Sequence, residues 1–347
     1  MKLFLEDGAV FEGESFGADI SVSGEVVFTT GMTGYVESFS DPSFAGQILV
    51  LTYPLIGNYG VPDAKFFESE KMQIAGLIVT EYSEEYSHHD ARRSLTQWLK
   101  DSGVPAISGV DTRALTKKLR EHGVMLGVLG ETAPKKFIDP NEENLVAKVS
   151  PSEKKIYGNG PIKIIAVDCG MKENILRSLA RTNTTIIRVP WDYDFTGEEY
   201  DALVLSNGPG DPTQCIPTIE HIKSAMADNK PILGVCLGNQ LLALAAGAKT
   251  YKLKYGHRGQ NQPCIDSETG RCYITSQNHG FVVDEKSLPK EWDVWFTNAN
   301  DGSNEGIKHK TKMWRSVQFH PEASPGPTDT AWIFERFLTD LAKKKGI

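Results

Sequence analysis

The second half of the chain alternates between apolar, β-branched runs and amphipathic helical patterns, and this alternation constrains the fold most strongly. Parallel strands that are covered on both faces have nearly continuous Val, Ile and Leu sequences. Such runs are PIKIIAVDCG, TTIIRVP, YDALVLSNGPGDP and PILGVC, and helical patterns such as MKENILRSLART and LGNQLLALAAGA lie between them. The alternation predicts an α/β domain with a mostly parallel sheet and helices on both faces. The hairpin-like segments after it and the C-terminal helical pattern TAWIFERFLTDLAKKK complete the domain.

The first half has a different order of elements. Strand-like runs come first, in VSGEVVFTTG, QILVLTYP and KMQIAGLIVTEY, and helical patterns follow in ARRSLTQWLKDSG and DTRALTKKLREHG. Strands followed by helices are typical of an α+β domain. The stretch that follows, with APKKFIDPNEEN and SPSEKKIYGNGP, is rich in Pro, Lys, Glu, Asn and Gly. From composition we expect an N-terminal domain over 1–150, a linker over 151–160 and a second domain over 161–347.

Composition excludes several classes of protein. The net charge of −8 over 347 residues argues against a nucleic-acid partner. No apolar run approaches the roughly 18 residues that a membrane helix needs, and acidic residues stand where a signal peptide would be apolar. We therefore expect a cytoplasmic protein without a membrane partner. The cysteines are odd in number and lack CxxC spacing, so we expect no metal site and no disulfide framework; they are Cys169, Cys215, Cys236, Cys264 and Cys272.

Cys236 stands where a predicted strand, PILGV, meets a predicted helix, LGNQLLALAAGA. Functional groups of α/β sheets gather at the carboxyl ends of strands. Gly234 and Gly238 would relieve crowding in a tight strand-to-helix turn, as in a nucleophile elbow. The start of a helix favours a thiolate, and the N–H of Leu237 would face an oxyanion. The alternative is a small buried apolar side chain, and this segment alone does not decide between the two. We expect the other cysteines, which lack this setting, to be core or surface thiols.

His320 is the histidine best placed to serve as a base. It ends an apolar run in SVQFHPEAS, and Glu322 follows two residues later. In an extended chain this spacing puts both side chains on one side, so the carboxylate could hold the imidazole as in a catalytic triad. The alternative is a surface ion pair.

The Gly-Pro-Gly loop of SNGPGDP is a candidate for the second oxyanion donor, with an ordinary strand-to-helix turn as its alternative. A phosphate loop does not fit, because no GKS or GKT sequence follows here or elsewhere in the chain. The sequence therefore predicts no ATP site.

LSNGPGDP, GVCLGNQLLA, SQNHGF and FHPE together resemble the class I, triad-type glutamine amidotransferases. GEVVFTTGMTGYVESFSDPSFAGQILVLTYPLIGNYG and GVDTRALTKKLREHG resemble the N-terminal domain of the small, glutaminase subunit of carbamoyl phosphate synthetase. The resemblance covers nearly the whole chain. GHRGQNQPC and NANDGSNEG are closer to the eukaryotic pyrimidine-pathway form than to the bacterial subunit.

The resemblance implies a set of roles. Cys236 attacks the side-chain amide carbon of L-glutamine, His320 accepts the thiol proton or stabilises the thiolate as an imidazolium, and Glu322 orients His320. The N–H groups of Leu237 and Gly210 form the oxyanion hole. The glutamine pocket is implied for Ser43, Gly208, Gln240, Asn278, Gly280 and Phe281.

The resemblance also implies a partner. Ammonia passes to a large synthetase subunit or fused domain, which docks on the N-terminal domain and makes carbamoyl phosphate from bicarbonate and ATP for pyrimidine and arginine synthesis. ATP and Mg are expected only in that partner, and no cofactor in this chain. Many relatives have His at the position of Asn239, within CLGNQ. This departure supports one alternative, a catalytically silent docking or regulatory subunit.

Overall fold

The computed structural model describes residues 1–347, which form two compact units, Met1–Glu143 and Asn144–Ile347. Each unit is built on its own large sheet. None of the helices has both the length and the apolar character required to cross a membrane.

The first unit contains an eight-stranded sheet, a separate two-stranded sheet and three α-helices. Its strands are β1 (Lys2–Leu5), β2 (Val10–Glu12), β3 (Glu14–Ser15), β4 (Val22–Thr29), β5 (Gln47–Leu51), β6 (Leu55–Ile56), β7 (Gly76–Ile78), β8 (Glu81–Tyr82), β9 (Ala106–Ser108) and β10 (Met125–Gly130). Its helices are α1 (Tyr35–Ser40), α2 (Leu95–Asp101) and α3 (Thr112–His122). The order is β2-β1-β10-β4-β5-β7-β9-β3, while β6 and β8 pair separately. The pairs from β4 to β9 are parallel and the others in the large sheet are antiparallel.

Helix α3 shows how local sequence sets an element of this unit. The side chain of Asp111 accepts the N–H of Ala114 at 2.8 Å and caps the helix. Leu115 and Leu119 lie one turn apart and are buried. The helix ends at Gly123, whose φ of 107° suits glycine. The helix predicted from DTRALTKKLREHG is confirmed.

The second unit contains a ten-stranded sheet. Its strands are β11 (Lys155–Gly158), β12 (Ile162–Asp168), β13 (Thr184–Pro190), β14 (Ala202–Leu205), β15 (Ile232–Val235), β16 (Lys249–Asp266), β17 (Cys272–Asp284), β18 (Trp292–Asn298), β19 (Asn304–His309) and β20 (Trp314–Val317). Its helices are α4 (Leu145–Val149), α5 (Glu173–Leu179), α6 (Ile216–Ala227), α7 (Leu237–Ala245) and α8 (Trp332–Lys345). The order is β11-β13-β12-β14-β15-β20-β19-β18-β16-β17.

Five neighbouring strands of this sheet are parallel, namely β13, β12, β14, β15 and β20. Helices pack against both faces of these strands. Successive residues of β12 pack on opposite faces: Ile165 belongs to a core with α6 and α7, and Ile164 to a core with α5 and α8. The predicted α/β class with helices on both faces is confirmed. The hairpins of β16 to β19 extend the sheet in antiparallel fashion.

The boundary between the units lies earlier than composition suggested. Helix α4 belongs to the second unit, and Val146 is buried in its core. The segment expected as a linker contains β11, which pairs antiparallel with β13 at the sheet edge. Most residues of β11 are exposed. An exposed edge strand can be as polar as a linker, so composition alone did not distinguish the two.

Candidate active site

Cys236 occupies a sharp turn between β15 and α7, with φ 54° and ψ −103°. This backbone conformation is uncommon for a residue with a side chain, and it clusters at functional sites. The turn is possible because both flanking glycines lack a Cβ. A Cβ on Gly234 would lie 2.5 Å from the carbonyl oxygen of Gly238, and one on Gly238 would lie 2.3 Å from that of Leu205. The predicted elbow is therefore present.

His320 and Glu322 follow β20, the strand parallel to β15. The N–H of His320 donates to the carbonyl of Ser276 at 2.9 Å, which ties this segment to β17. His320 Nδ1 lies 2.6 Å from Glu322 Oε1, and the two residues are 2% and 4% exposed. The alternative of a surface ion pair is therefore wrong, because both groups are buried.

The electrostatics of the pair favour its charged forms. Burial lowers the pKa of His320, but Glu322 and then Cys236 outweigh it, and the pKa is raised overall. Burial raises the pKa of Glu322, but Lys172 and then His320 outweigh it, and the pKa is lowered overall. Glu322 is therefore a carboxylate that accepts a hydrogen bond from the Nδ1–H of His320. His320 Nε2 has the sulfur of Cys236 as its neighbour, so this nitrogen is placed for proton transfer.

Lys172 was missed by reasoning from sequence. Its ammonium lies 3.1 Å from Glu322 Oε1 and also donates to the carbonyl of Ala323, and the residue is only 2% exposed. Asn174, two residues later, donates to the carbonyl of Glu322. Both residues lie at the start of α5, just beyond the carboxyl end of β12. That position, in MKEN, was the signal that could have identified them, since parallel strand ends share one edge of a sheet.

Gln318 links the thiol to the residues of CLGNQ. Its side-chain amide donates to Cys236 Sγ at 3.7 Å, and its Oε1 accepts from Asn239 and Gln240, each at 3.2 Å. Asn239 Oδ1 in turn accepts from the hydroxyl of Ser316 at 2.8 Å. Asn239 is thus a buried member of a hydrogen-bond network, one residue removed from the thiol.

Several residues predicted for the glutamine pocket lie around Cys236. Its thiol donates to the carbonyl of Asn278 at 3.8 Å, and Gln240 Nε2 donates to the carbonyl of Phe281 at 2.8 Å. Gly208 lies against the elbow, because a Cβ there would be 2.8 Å from Leu237 Cδ2. Cys236, His320, Glu322 and these groups therefore form one cluster.

Three other predicted residues stay predictions in their pocket roles. Gly280 lies on β17 between Asn278 and Phe281. Gly210 has a φ of 82°, and a Cβ there would lie 3.3 Å from the Leu145 side chain. Ser43 belongs to the first unit, where its N–H donates to Asp41 Oδ1 at 2.9 Å.

Comparisons with known proteins agree with this geometry. Residues 165–339 match the family model described as "Glutamine amidotransferase class-I". Residues 3–129 match that described as "Carbamoyl-phosphate synthase small chain, CPSase domain". The two matches fall in the second and first units respectively.

The similar proteins are much longer than this chain. The multifunctional protein CAD of Squalus acanthias is 54% identical over 97% of this chain and 16% of that protein. The multifunctional protein pyr-3 of Neurospora crassa is 49% identical over 98% of this chain and 21% of that protein. The mitochondrial carbamoyl-phosphate synthase [ammonia] of Aquarana catesbeiana is 49% identical over 99% of this chain and 24% of that protein. With its Cys-His-Glu cluster on a parallel sheet, the chain belongs to the class I glutamine amidotransferases, and its first unit matches the small-chain domain of carbamoyl-phosphate synthase.

Proposed function

We propose that the chain is the glutaminase component of a carbamoyl phosphate synthetase, and that it hydrolyses the side-chain amide of L-glutamine through a thioester on Cys236. One observation carries this proposal: a buried thiol on a strained elbow has His320 as its neighbour, and a carboxylate holds the other nitrogen of that imidazole. A thiol, a base and an orienting acid are the minimum set for nucleophilic acyl transfer.

In the first half of the reaction, the proton of Cys236 Sγ passes to His320 Nε2, which gives the thiolate–imidazolium pair that the raised pKa of His320 favours, and the thiolate attacks the amide carbon. The tetrahedral oxyanion accepts hydrogen bonds from the backbone N–H groups of Leu237 and Gly210. The imidazolium then gives its proton to the departing nitrogen, so the C–N bond breaks, ammonia leaves and a γ-glutamyl thioester remains.

In the second half, a water molecule gives a proton to His320 and attacks the thioester carbon. The second tetrahedral intermediate expels the thiolate of Cys236, which recovers the proton from the imidazolium, and glutamate leaves. Glu322 stays ionised throughout and accepts a hydrogen bond from the Nδ1–H of His320. Lys172 supports that role, because its ammonium favours the carboxylate form.

The same proposal extends to substrate binding and to the fate of ammonia. Gly208, Gln240, Asn278, Gly280 and Phe281 would line the glutamine pocket. Ammonia would pass to a synthetase region, a separate subunit or a fused domain that holds ATP and Mg. The small-chain domain would dock it. The chain spans about a sixth to a quarter of its relatives' length, which leaves room for such a region in those proteins.

The test is glutamine hydrolysis by the purified chain, alone and with a carbamoyl phosphate synthetase large subunit. We expect glutamate release that is lost in Cys236→Ser. With the synthetase, we expect glutamine-derived carbamoyl phosphate in the presence of ATP and bicarbonate. Glutamine hydrolysis by Cys236→Ser at the wild-type rate would contradict the proposal.

A second candidate function is that of a silent docking or regulatory subunit. It is favoured by one specific finding, since a 49% identical relative is named a carbamoyl-phosphate synthase [ammonia]. The two candidates differ in covalent chemistry. A chain that binds the synthetase and never forms a γ-glutamyl thioester would be the silent form.

A further inference from the structure

A second buried cluster lies on the antiparallel side of the same sheet. His257, His279 and Glu305 each offer one ligand atom, and these atoms lie within 4.8 Å of one another. They come from β16, β17 and β19 and are all buried. Because they are 22 and 26 residues apart (from 257 to 279, and from 279 to 305), no short-spacing motif reveals them.

His257 directs an electron pair at Glu305. Its Nε2 lies 2.9 Å from Asp301 Oδ2, and a carboxylate can only accept, so Nε2 carries the proton. In the neutral ring Nδ1 is therefore an acceptor. It lies 3.3 Å from Glu305 Oε1. In the neutral form two acceptors therefore face each other in a buried site.

His279 presents a second electron pair. Its Nδ1 lies 2.8 Å from the carbonyl of Phe281, so Nδ1 is the donor. In the neutral ring its Nε2 is therefore an acceptor, and this nitrogen lies 3.2 Å from Gln277 Oε1.

Glu305 supplies the negative charge. The residue is 0% exposed, and Asn298 donates to its Oε1 at 2.8 Å. Its Oε2 is buried without a hydrogen-bond partner. An ionised carboxylate in such surroundings needs a compensating cation. Two imidazole electron pairs and one carboxylate therefore converge where a cation would satisfy all three.

We propose that His257, His279 and Glu305 bind a divalent transition metal of the zinc class. Two imidazoles and a carboxylate are a ligand set that zinc takes in proteins. With metal–ligand bonds of about 2.0–2.2 Å and tetrahedral angles, neighbouring ligand atoms lie roughly 3.3–3.5 Å apart. The separation of His257 Nδ1 and Glu305 Oε1, 3.3 Å, already has this value.

The surrounding hydrogen bonds match those of a metal centre. Ligating imidazoles usually donate their other N–H to a carboxylate or a backbone carbonyl. His257 does so to Asp301, and His279 does so to Phe281. A bound metal would brace β17 at the residue next to Asn278, whose carbonyl accepts from the thiol of Cys236. Metal binding itself does not depend on the proposed glutaminase activity.

The competing occupant is a proton. With a proton on both nitrogens, His257 would bridge Asp301 and Glu305 as an imidazolium. A protonated His257 would leave no electron pair for a metal, so the two occupants exclude each other.

The test is titration of the metal-stripped chain with Co(II), followed by visible d–d absorption, and then competition with Zn(II). We expect one tightly held ion per chain and a higher melting temperature with Zn(II). Asp301→Asn should weaken binding about 10–100-fold, because Asp301 orients a ligand without touching the metal. Glu305→Gln should weaken it further.

The matched control uses the exposed group of His88, His89 and Asp90 on the first unit. A His88→Asn/His89→Asn variant should bind Co(II) like the wild type. Failure of the wild-type chain to bind a stoichiometric ion would overturn the proposal, whatever the folding of the variants. Binding that is lost in the His88 and His89 variant and kept in Glu305→Gln would also overturn it.

Discussion

Two buried cysteines stand at carboxyl ends of parallel strands in the same sheet. Cys169 follows β12 and precedes α5, while Cys236 follows β15 and precedes α7. Their exposures are 0% and 2%. The expectation that only Cys236 has a strand-turn-helix setting is therefore wrong, because Cys169 shares it.

The two sites differ in backbone and neighbours. Cys236 has a positive φ and lies beside His320, whereas Cys169 does not have a positive φ. The N–H of Cys169 donates to the hydroxyl of Ser206 at 2.9 Å. Burial, followed by Cys215 and Asp168, raises the pKa of the Cys169 thiol well above its ordinary value. A strand-end position thus does not make a nucleophile without a base to activate it.

The largest expected effect separates the two thiols directly. Cys236→Ser should lower glutamine hydrolysis by at least about a thousandfold, because it removes the nucleophile. Cys169→Ser should leave the rate near wild type and lower only stability, since a hydroxyl replaces a buried thiol. Steady-state glutamate release measures both. Equal losses in the two variants would remove the distinction.

Glu322→Gln tests what makes His320 an effective base. Without the carboxylate, burial dominates, and the pKa of His320 should fall below its value in the wild type. We expect kcat to drop about a hundredfold or more, as when a triad carboxylate becomes an amide. NMR titration of the His320 ring checks the pKa. An unchanged His320 titration would contradict the assigned role of Glu322.

Lys172→Met tests the buried cation that sequence reasoning missed. We expect kcat to fall roughly ten- to hundredfold through misplacement of the triad. Glu322 has a lowered pKa in the folded protein, so its stabilising contribution is present at neutral pH and is lost as pH falls through that value. Removing Lys172 raises this pKa, so acid unfolding should begin at a higher pH than in wild type. Circular dichroism over a pH series measures the shift. Lys172→Arg, which keeps the charge, is the control.

Asn239→His should have the smallest effect on chemistry. Asn239 contacts Gln318 and Ser316 and is 0% exposed. A larger ring there should cost about 1–3 kcal/mol through overpacking, while glutamine hydrolysis is largely kept. Thermal denaturation and the rate, measured side by side, test this. A rate loss as large as that of Glu322→Gln would place Asn239 in the chemistry.

The sequence pointed to Cys236, His320 and Glu322, which the structure brings together, because each lies at a boundary that local pattern reveals. Gly234 and Gly238 mark the turn at Cys236, and the end of an apolar run marks His320. The parallel strands and the cap of α3 were predictable for the same reason, since periodicity and end signals are local.

Contacts between distant segments were not predictable in this way. Lys172 meets Glu322 across 150 residues, and Gln318 meets Cys236 across 82. Lys172 is polar in sequence and would ordinarily be exposed, so only the strand order shows its burial. The same holds for His257 and His279, which lie opposite each other on paired strands.

The most direct test of the central claim is trapping of the covalent intermediate. The chain is mixed with glutamine, quenched in acid within milliseconds to seconds and analysed by peptide mass spectrometry. We predict a γ-glutamyl group on the peptide that contains Cys236, at less than one group per chain, and none on the peptide that contains Cys169. A γ-glutamyl group on Cys169, or glutamine turnover with no adduct on Cys236 at any quench time, would contradict it.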